Sequence, residues 1–208
     1  IGVGLVGSEM CIRDRTSIPI PSLFGSNSTV EVARYTRWVM DARFGWQATS
    51  RFGLHARCFL GLAASTISES AVPFEKQFYV GGANSMRGWR ALGLGPGQSD
   101  AALQGVRGDM RFEANLEGRQ FLNDWVQVAA FLDAGNIWMT RPEEERPDAH
   151  FRADHFLTDL GVSAGAGLRL DFEYFLLRCD VARPLRMPGG QSPTLDGWRI
   201  HPAVSLPF

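Results

Sequence analysis

From Trp38 onward the chain alternates, with Met40, Ala42, Phe44, Trp46 and Ala48 on one parity and Asp41, Arg43 and Gln47 on the other. A period of two marks a strand with two unlike faces. The division returns in Leu54, Ala56, Cys58, Leu60 and Leu62 against His55, Arg57, Phe59 and Gly61. It returns again in Arg107, Asp109, Arg111, Glu113, Asn115 and Glu117 against Gly108, Met110, Phe112, Ala114 and Leu116. Val126, Val128, Ala130, Leu132 and Ala134 then oppose Gln127, Phe131, Asp133 and Gly135, and Val162, Ala164, Ala166, Leu168 and Leu170 oppose Ser163 and Arg169. The last two segments set Phe175, Leu177, Cys179 and Val181 against Arg178 and Asp180, and Ile200, Pro202, Val204, Leu206 and Phe208 against Arg199, His201 and Ser205. Seven strands are predicted, and in all of them the charges keep to one parity.

That one-sidedness chooses the environment. An Arg or Lys facing lipid at the bilayer midplane costs roughly 2–4 kcal/mol, so a strand crossing a membrane confines its charges to the face turned away from lipid. A soluble sandwich alternates too, but its polar face meets bulk water and commonly carries Lys; the single lysine, Lys76, lies in a loop. The connections also alternate. Short turns at residues 49–52, 121–124 and 171–173 take turns with long loops at 66–105, 139–158 and 184–197, as in outer-membrane barrels with tight turns on one side and long loops on the other. The predicted fold class is all-β, an antiparallel transmembrane β-barrel fragment.

Composition narrows the chemistry. The chain has 208 residues, 45% of them hydrophobic, with no apolar run of the length a transmembrane helix needs. Basic and acidic residues balance at 21 and 22, which gives no pull toward nucleic acid. Cys11, Cys58 and Cys179 are too few and too scattered for a disulfide framework, and neither they nor His55, His150, His155 and His201 show metal-ligand spacing. Gly93-Leu-Gly-Pro-Gly97 lacks the Lys and Ser/Thr of a phosphate loop. The run Arg141-Pro-Glu-Glu-Glu-Arg-Pro147 reads as a solvated loop. Glu113 and Asp133 invite comparison with a glycosidase pair, but both sit among arginines with no second motif. No catalytic residue, metal site or cofactor is expected.

Residues 1–15 are treated apart. Leu5 to Asp14 back-translates into a transposase adapter used in library preparation, so this segment is expected to be adapter-derived and to make few contacts with the sheet. Residues 16–33 are rich in turn formers and read as loop. The barrel portion is placed at 34–208, interrupted by a long loop at 66–105.

That loop carries the most informative stretch, Gln77-Phe-Tyr-Val-Gly-Gly-Ala-Asn-Ser-Met-Arg-Gly-Trp89. Its glycines allow sharp turns, and Arg87 stands between bulky Met86 and Trp89. Such an arginine calls for a carboxylate, and Glu113 and Asp133 both lie on polar parities. The alternative is a loop arginine solvated by water.

Arg87-Gly88-Trp89 followed by Phe131-Leu-Asp133-Ala-Gly135 resembles the BamA/TamA superfamily of outer-membrane assembly barrels, the bacterial surface antigen family, where R-G-aromatic and F-x-D-x-G motifs face each other. This chain has Met86 where the family usually has Val or Ile, and Trp89 where it has Phe or Tyr. The resemblance covers about residues 34–208. It implies the C-terminal seven strands of a sixteen-stranded barrel, with the loop pinned in the lumen by an Arg87 bridge to Asp133 shared with Glu113. The terminal Ile200, Val204, Leu206 and Phe208 resemble the family's C-terminal sorting signal. Pro202 and Pro207 are expected to weaken the last strand's pairing at the barrel seam, the family's lateral gate. An arginine placed at Leu168 should block insertion far more than one at Ser163.

The resemblance implies a non-enzymatic factor that inserts proteins into the bacterial outer membrane. Its implied partners are outer-membrane lipid, unfolded outer-membrane clients, and periplasmic accessory proteins reached through N-terminal POTRA domains. Polypeptide export of the two-partner-secretion kind, or the barrel of a lipase-type fusion, are the other readings.

Overall fold

The computed structural model describes residues 35–65, 72–99, 106–142, 144, 146–172, 174–190 and 197–204, and as backbone only 2–6, 11–13, 18–20 and 28–30. In chain order the strands are β1 (Gly2–Val6), β2 (Cys11–Arg13), β3 (Ile18–Ile20), β4 (Ser28–Val30), β5 (Tyr35–Gln47) and β6 (Phe52–Ser65). They continue with β7 (Met110–Phe121), β8 (Val126–Trp138), β9 (Gly161–Asp171), β10 (Leu176–Arg186) and β11 (Arg199–Val204). The predicted seven are β5 to β11, paired in sequence order as one antiparallel sheet. Strands β5 to β10 have 11 to 14 residues. A tilted transmembrane strand needs roughly 9–11, so each is long enough to cross a bilayer.

Two expectations are corrected here. Residues 16–33 are not all loop: β3 and β4 pair as a small separate antiparallel sheet, Ile18 to Ile20 against Val30 to Ser28. Its residues include the β-branched Ile18, Ile20, Thr29 and Val30, and a short strand tolerates Pro19. Nor does the first segment keep clear of the sheet, because β1 pairs with β5 from Gly2↔Gly45 to Val6↔Asp41, and β2 adds Cys11↔Arg37 to Arg13↔Tyr35. The physical reason is the edge of β5. It presents a row of unpaired N–H and C=O groups, and an edge of that kind is completed by whatever extended segment reaches it. A strand of this segment paired in the sheet over its whole length counts against the adapter reading.

The sheet is inside out compared with a soluble protein. Asp41, Arg57, Glu113, Glu117, Arg119, Asp133, Arg169, Arg178 and Asp180 are all buried, whereas Trp38, Phe44, Trp46, Leu62, Leu116, Leu132 and Leu168 are exposed. The covered face is therefore the charged one. Around the short turns lie exposed Trp46, Trp125, Phe172, Tyr174 and Phe175, and near the long loops Trp38 and Trp198. Aromatic girdles at both rims of an apolar band match the two interfaces of a bilayer. Among the described residues no helix is long and apolar enough to cross a membrane.

What covers the charged face is the long loop. Val72, Phe78, Val80, Met86, Trp89 and Leu94 from it form one apolar cluster with wall residues Phe59, Ala63 and Ile137. Phe78 meets Phe59 edge to face at 6.3 Å between centroids. Gly61 opens the space for that ring: a Cβ there would stand 2.6 Å from Phe78. At the upper end Gly97 N–H bonds the Ile137 carbonyl at 2.7 Å, and Asn136 returns a bond to the Gly97 carbonyl at 2.8 Å.

Candidate functional site: an arginine clasp on the inner wall

Residues 82–89 close on themselves. Gly82 N–H bonds the Trp89 carbonyl at 2.9 Å, and within this ring Ser85 N–H bonds the Gly82 carbonyl and Trp89 N–H the Met86 carbonyl. The entry requires Gly81 and Gly82, whose φ angles of 112° and 94° suit only glycine. Met86 and Trp89 turn into the apolar cluster, which sets Arg87 between them facing the wall. Its exposure is 0%.

Arg87 meets Asp133 of β8 as a fork: Nε donates to Oδ2 at 2.9 Å and Nη2 to Oδ1 at 2.7 Å, while the backbone N–H of Arg87 donates to Oδ2 at 3.1 Å. Paired donors on a carboxylate fix orientation as well as charge. Nη1 donates to Glu117 Oε2 on β7 at 2.5 Å, and Asp180 Oδ2 on β10 lies 3.7 Å away. The guanidinium carbon lies 3.4 Å from the centre of the Phe131 ring, a cation–π platform. Burial works to lower the Arg87 pKa, but the bonds and charges of Asp133 and Glu117 outweigh it and hold the group above its ordinary value. The arginine stays charged.

Other strands hold the same loop. Arg57 of β6 donates to the Asn84 carbonyl at 3.3 Å, and Asn115 of β7 donates to the Ser85 carbonyl and to Asp133 Oδ1, both at 3.0 Å. Ser163 Oγ of β9 accepts from Gly88 N–H at 3.2 Å, Arg178 of β10 donates to Asn84 Oδ1 at 2.8 Å, and His201 Nε2 of β11 lies 2.8 Å from the Arg87 carbonyl. Side chains from β6 through β11 reach one short loop, so the sheet curls around it. Gly88 must be glycine for contact: a Cβ would stand 3.2 Å from Pro184 N and collide with the Ser163 side chain.

The sequence-predicted set divides. Arg87, Gly88, Trp89 and Asp133 come together as expected, and Gly135 lies opposite Glu113 in the β7–β8 register. The expected second acid is corrected: Glu117, not Glu113, shares the guanidinium with Asp133. Glu113 instead bonds the Ser85 hydroxyl and pairs with Arg111 at 2.8 Å and Arg57 at 3.6 Å. The register explains the ambiguity. Asn115 stands directly across from Asp133, so Glu113 and Glu117 flank that point by two residues each, and only the loop's approach chooses between them. Asn115 and His201 carried no role in the sequence reading beyond their inward parity, while Ser163 entered only as an inward position and Phe131 only as the aromatic of F-x-D-x-G. Ile200 and Val204 are exposed on β11, while Leu206 and Phe208 lie outside the described residues. Among the described residues no group of His, Cys, Asp and Glu is arranged to hold a metal.

An antiparallel wall with lipid-type residues outside and a loop clasped inside defines a membrane barrel segment. A family model for the Omp85 superfamily domain matches residues 21–200, and the chain belongs to that superfamily. The fold is similar to that of BamA from Haemophilus ducreyi, solved lacking POTRA domains 1–3, with a TM-score of 0.63, 19% identity, and 85% of this chain on 36% of that one. It is also similar to CdiB from Acinetobacter baumannii, with a TM-score of 0.52, 18% identity, and 85% of this chain on 28% of that one. The chain thus spans about a third of the length of these solved proteins. No curated protein matches it by sequence.

Proposed function

We propose that the chain is barrel wall of a bacterial outer-membrane factor that inserts client β-barrel proteins. The observation that carries this reading is the link between clasp and β11: His201 on β11 bonds the backbone of Arg87 itself. Strand β11 has only six residues, pairs with β10 from Leu177↔Val204 to Ala182↔Arg199, and spends one position on Pro202, which has no N–H to donate. Among the described residues its other edge pairs with no strand. A short strand of this kind offers an edge on which a client strand can be built by β-augmentation, while the clasp holds the wall behind it in register. The partners proposed on this reading are outer-membrane lipid, unfolded barrel clients, and periplasmic proteins that deliver them through POTRA domains.

The test is reconstitution of the full-length protein in liposomes with an unfolded outer-membrane barrel as client. Client folding, read as a heat-modifiable band on unboiled gels, should proceed faster than in empty liposomes. Transfer of an extended polypeptide into the liposome lumen, read by protease protection without client folding, would instead assign the protein to export.

A further inference from the structure

On the outer face, at the rim where the long loops lie, a groove of about 360 Å³ runs beneath an overhang. Its floor is Leu60 and Leu62 of β6 with Met110 and Phe112 of β7, and Trp38 of β5 bounds one side. The register sets these residues on the lipid-facing parity in two rows, Trp38↔Leu62↔Met110 and Met40↔Leu60↔Phe112. The other side is Phe151 and Phe156, which come from the loop after β8 and close over Trp138 with ring centres at 5.5 and 5.7 Å. Phe156 also meets the Phe112 ring at 5.3 Å, so the overhang rests on the wall. Arg111 borders the groove too, but its guanidinium turns inward to Glu113 at 2.8 Å.

The overhang is held from behind. The Asp159 carboxylate accepts from Trp138 Nε1 at 2.9 Å and from Gln98 Nε2 at 2.7 Å, and Asn136 donates to the Asp159 carbonyl at 2.5 Å. Met139 N–H bonds the Ala149 carbonyl at 2.8 Å and Phe151 N–H the Met139 carbonyl at 3.0 Å, which gives the groove a fixed side. One step toward the short turns, the next outward row is Ala42↔Cys58↔Ala114↔Ala134, small side chains on four consecutive strands. The wall is therefore shallow just below the groove, and an extended chain can pass from it toward the middle of the membrane. The chemistry selects what that chain is. A polypeptide lying on this apolar lining would leave its backbone N–H and C=O groups without partners, which hydrocarbon does not tolerate. Strands β6 and β7 are already paired on both edges, so neither accepts an added strand. A second copy of the chain would bring a broad wall, which the overhang keeps off the floor.

We propose that this groove holds one straight acyl chain of a lipid in the leaflet at the long-loop side, as a bound component of the wall and not a passing neighbour. The chain lies on Leu60, Leu62, Met110 and Phe112 under the two phenylalanines, and the headgroup sits near Trp38, at the interface where tryptophans settle. The inference rests on the membrane reading of the wall alone and holds whether the barrel inserts clients or exports them.

The experiment uses the full-length protein in bilayers that contain a trace of phosphatidylcholine with a diazirine on a straight acyl chain. After illumination, adducts are mapped by mass spectrometry and those in the groove, at residues 60–62, 110–112 and 151–156, are compared with those on the outward residues of β9. Unlabelled straight-chain phosphatidylcholine should suppress the groove adducts about tenfold more effectively than phosphatidylcholine with methyl-branched chains, while the β9 adducts should respond equally to both. Leu62→Phe fills the groove and should lower its adducts about tenfold relative to β9. Leu116→Phe, on the same outward face but beyond the row of small residues, should leave them unchanged. Equal competition by the two lipids in the groove, no effect of Leu62→Phe, or an equal effect of Leu116→Phe would each overturn the proposal. A groove without adducts beside a labelled β9 would mean that protein covers it: dimers on crosslinking would assign it to a second copy, and monomers to a segment of the chain itself, and either overturns the lipid.

Discussion

Replacing Arg87 by Ala removes five contacts at once: the fork on Asp133, the bond to Glu117, the long-range pair with Asp180 and the stacking on Phe131. The two main acids suffer unequally. Glu117 keeps the charged donors Arg119 and Arg169, whereas Asp133 keeps the neutral donors Asn115 and the backbone N–H of residue 87. Asp133 is fully buried, so it becomes a stranded charge. Breaking a buried pair from one side costs about 3–5 kcal/mol. That cost falls on the closed loop and not on the whole sheet, because the ladders from β5 to β11 do not pass through Arg87. At about 1.4 kcal/mol per factor of ten, exchange of the amides in residues 82–89 should accelerate by roughly two to three and a half orders of magnitude, with strand amides little changed. The assay is hydrogen exchange read by mass spectrometry on the folded protein in micelles. Asp133→Ala should reach a similar rate, and the double variant should be little worse than either single one, because the two residues act through one interaction. Additive losses, or acceleration below about tenfold in both single variants, would refute the buried clasp.

Glu117→Gln should loosen residues 82–89 nearly as much as Arg87→Ala, whereas Glu113→Gln, whose acid serves Ser85, Arg111 and Arg57, should leave Arg87 protected; exchange rates at residues 82–89 in the two variants decide this. Gly88→Ala should open the loop by collision with Ser163 and Pro184, read as new protease cleavage between residues 82 and 89. Leu168→Arg should abolish bilayer insertion through a lipid-facing charge costing about 2–4 kcal/mol, measured by liposome flotation. Its control is Gly45→Arg, at an inward position where a Cβ meets only His55 at 3.6 Å; Ser163, completely buried against Gly88, is unfit for that purpose.

The seven strands were legible because a membrane wall repeats one rule, and parity alone assigned Asp41, Glu113, Asp133 and Arg169 to the covered face. Arg87 and Asp133 were legible because a loop arginine between two large apolar residues has little use for solvent. Where the rule turned on the third dimension, it stopped. Glu113 and Glu117 share a parity and lie equally far from Asp133 along the register, so choosing between them needs the direction from which the loop descends. His201 was invisible for the same reason, since its partner is a carbonyl 114 residues earlier in the chain. The strands β1 to β4 escaped because an open edge and a short hairpin leave little imprint on periodicity.

The wall is inside out, with lipid on its apolar face and the loop within. The chain's six tryptophans test it directly. Trp38, Trp46 and Trp198 are 41 to 54% exposed on the outer face, while Trp89 of the loop and Trp138 are 5% and 1% exposed. Single-tryptophan variants of the full-length protein, reconstituted in bilayers containing brominated lipid, separate the two groups by fluorescence quenching. Trp38, Trp46 and Trp198 should be strongly quenched, and Trp89 and Trp138 should keep nearly all of their emission. Quenching of Trp89 as strong as that of Trp46, or no quenching at any of the six, would contradict the account.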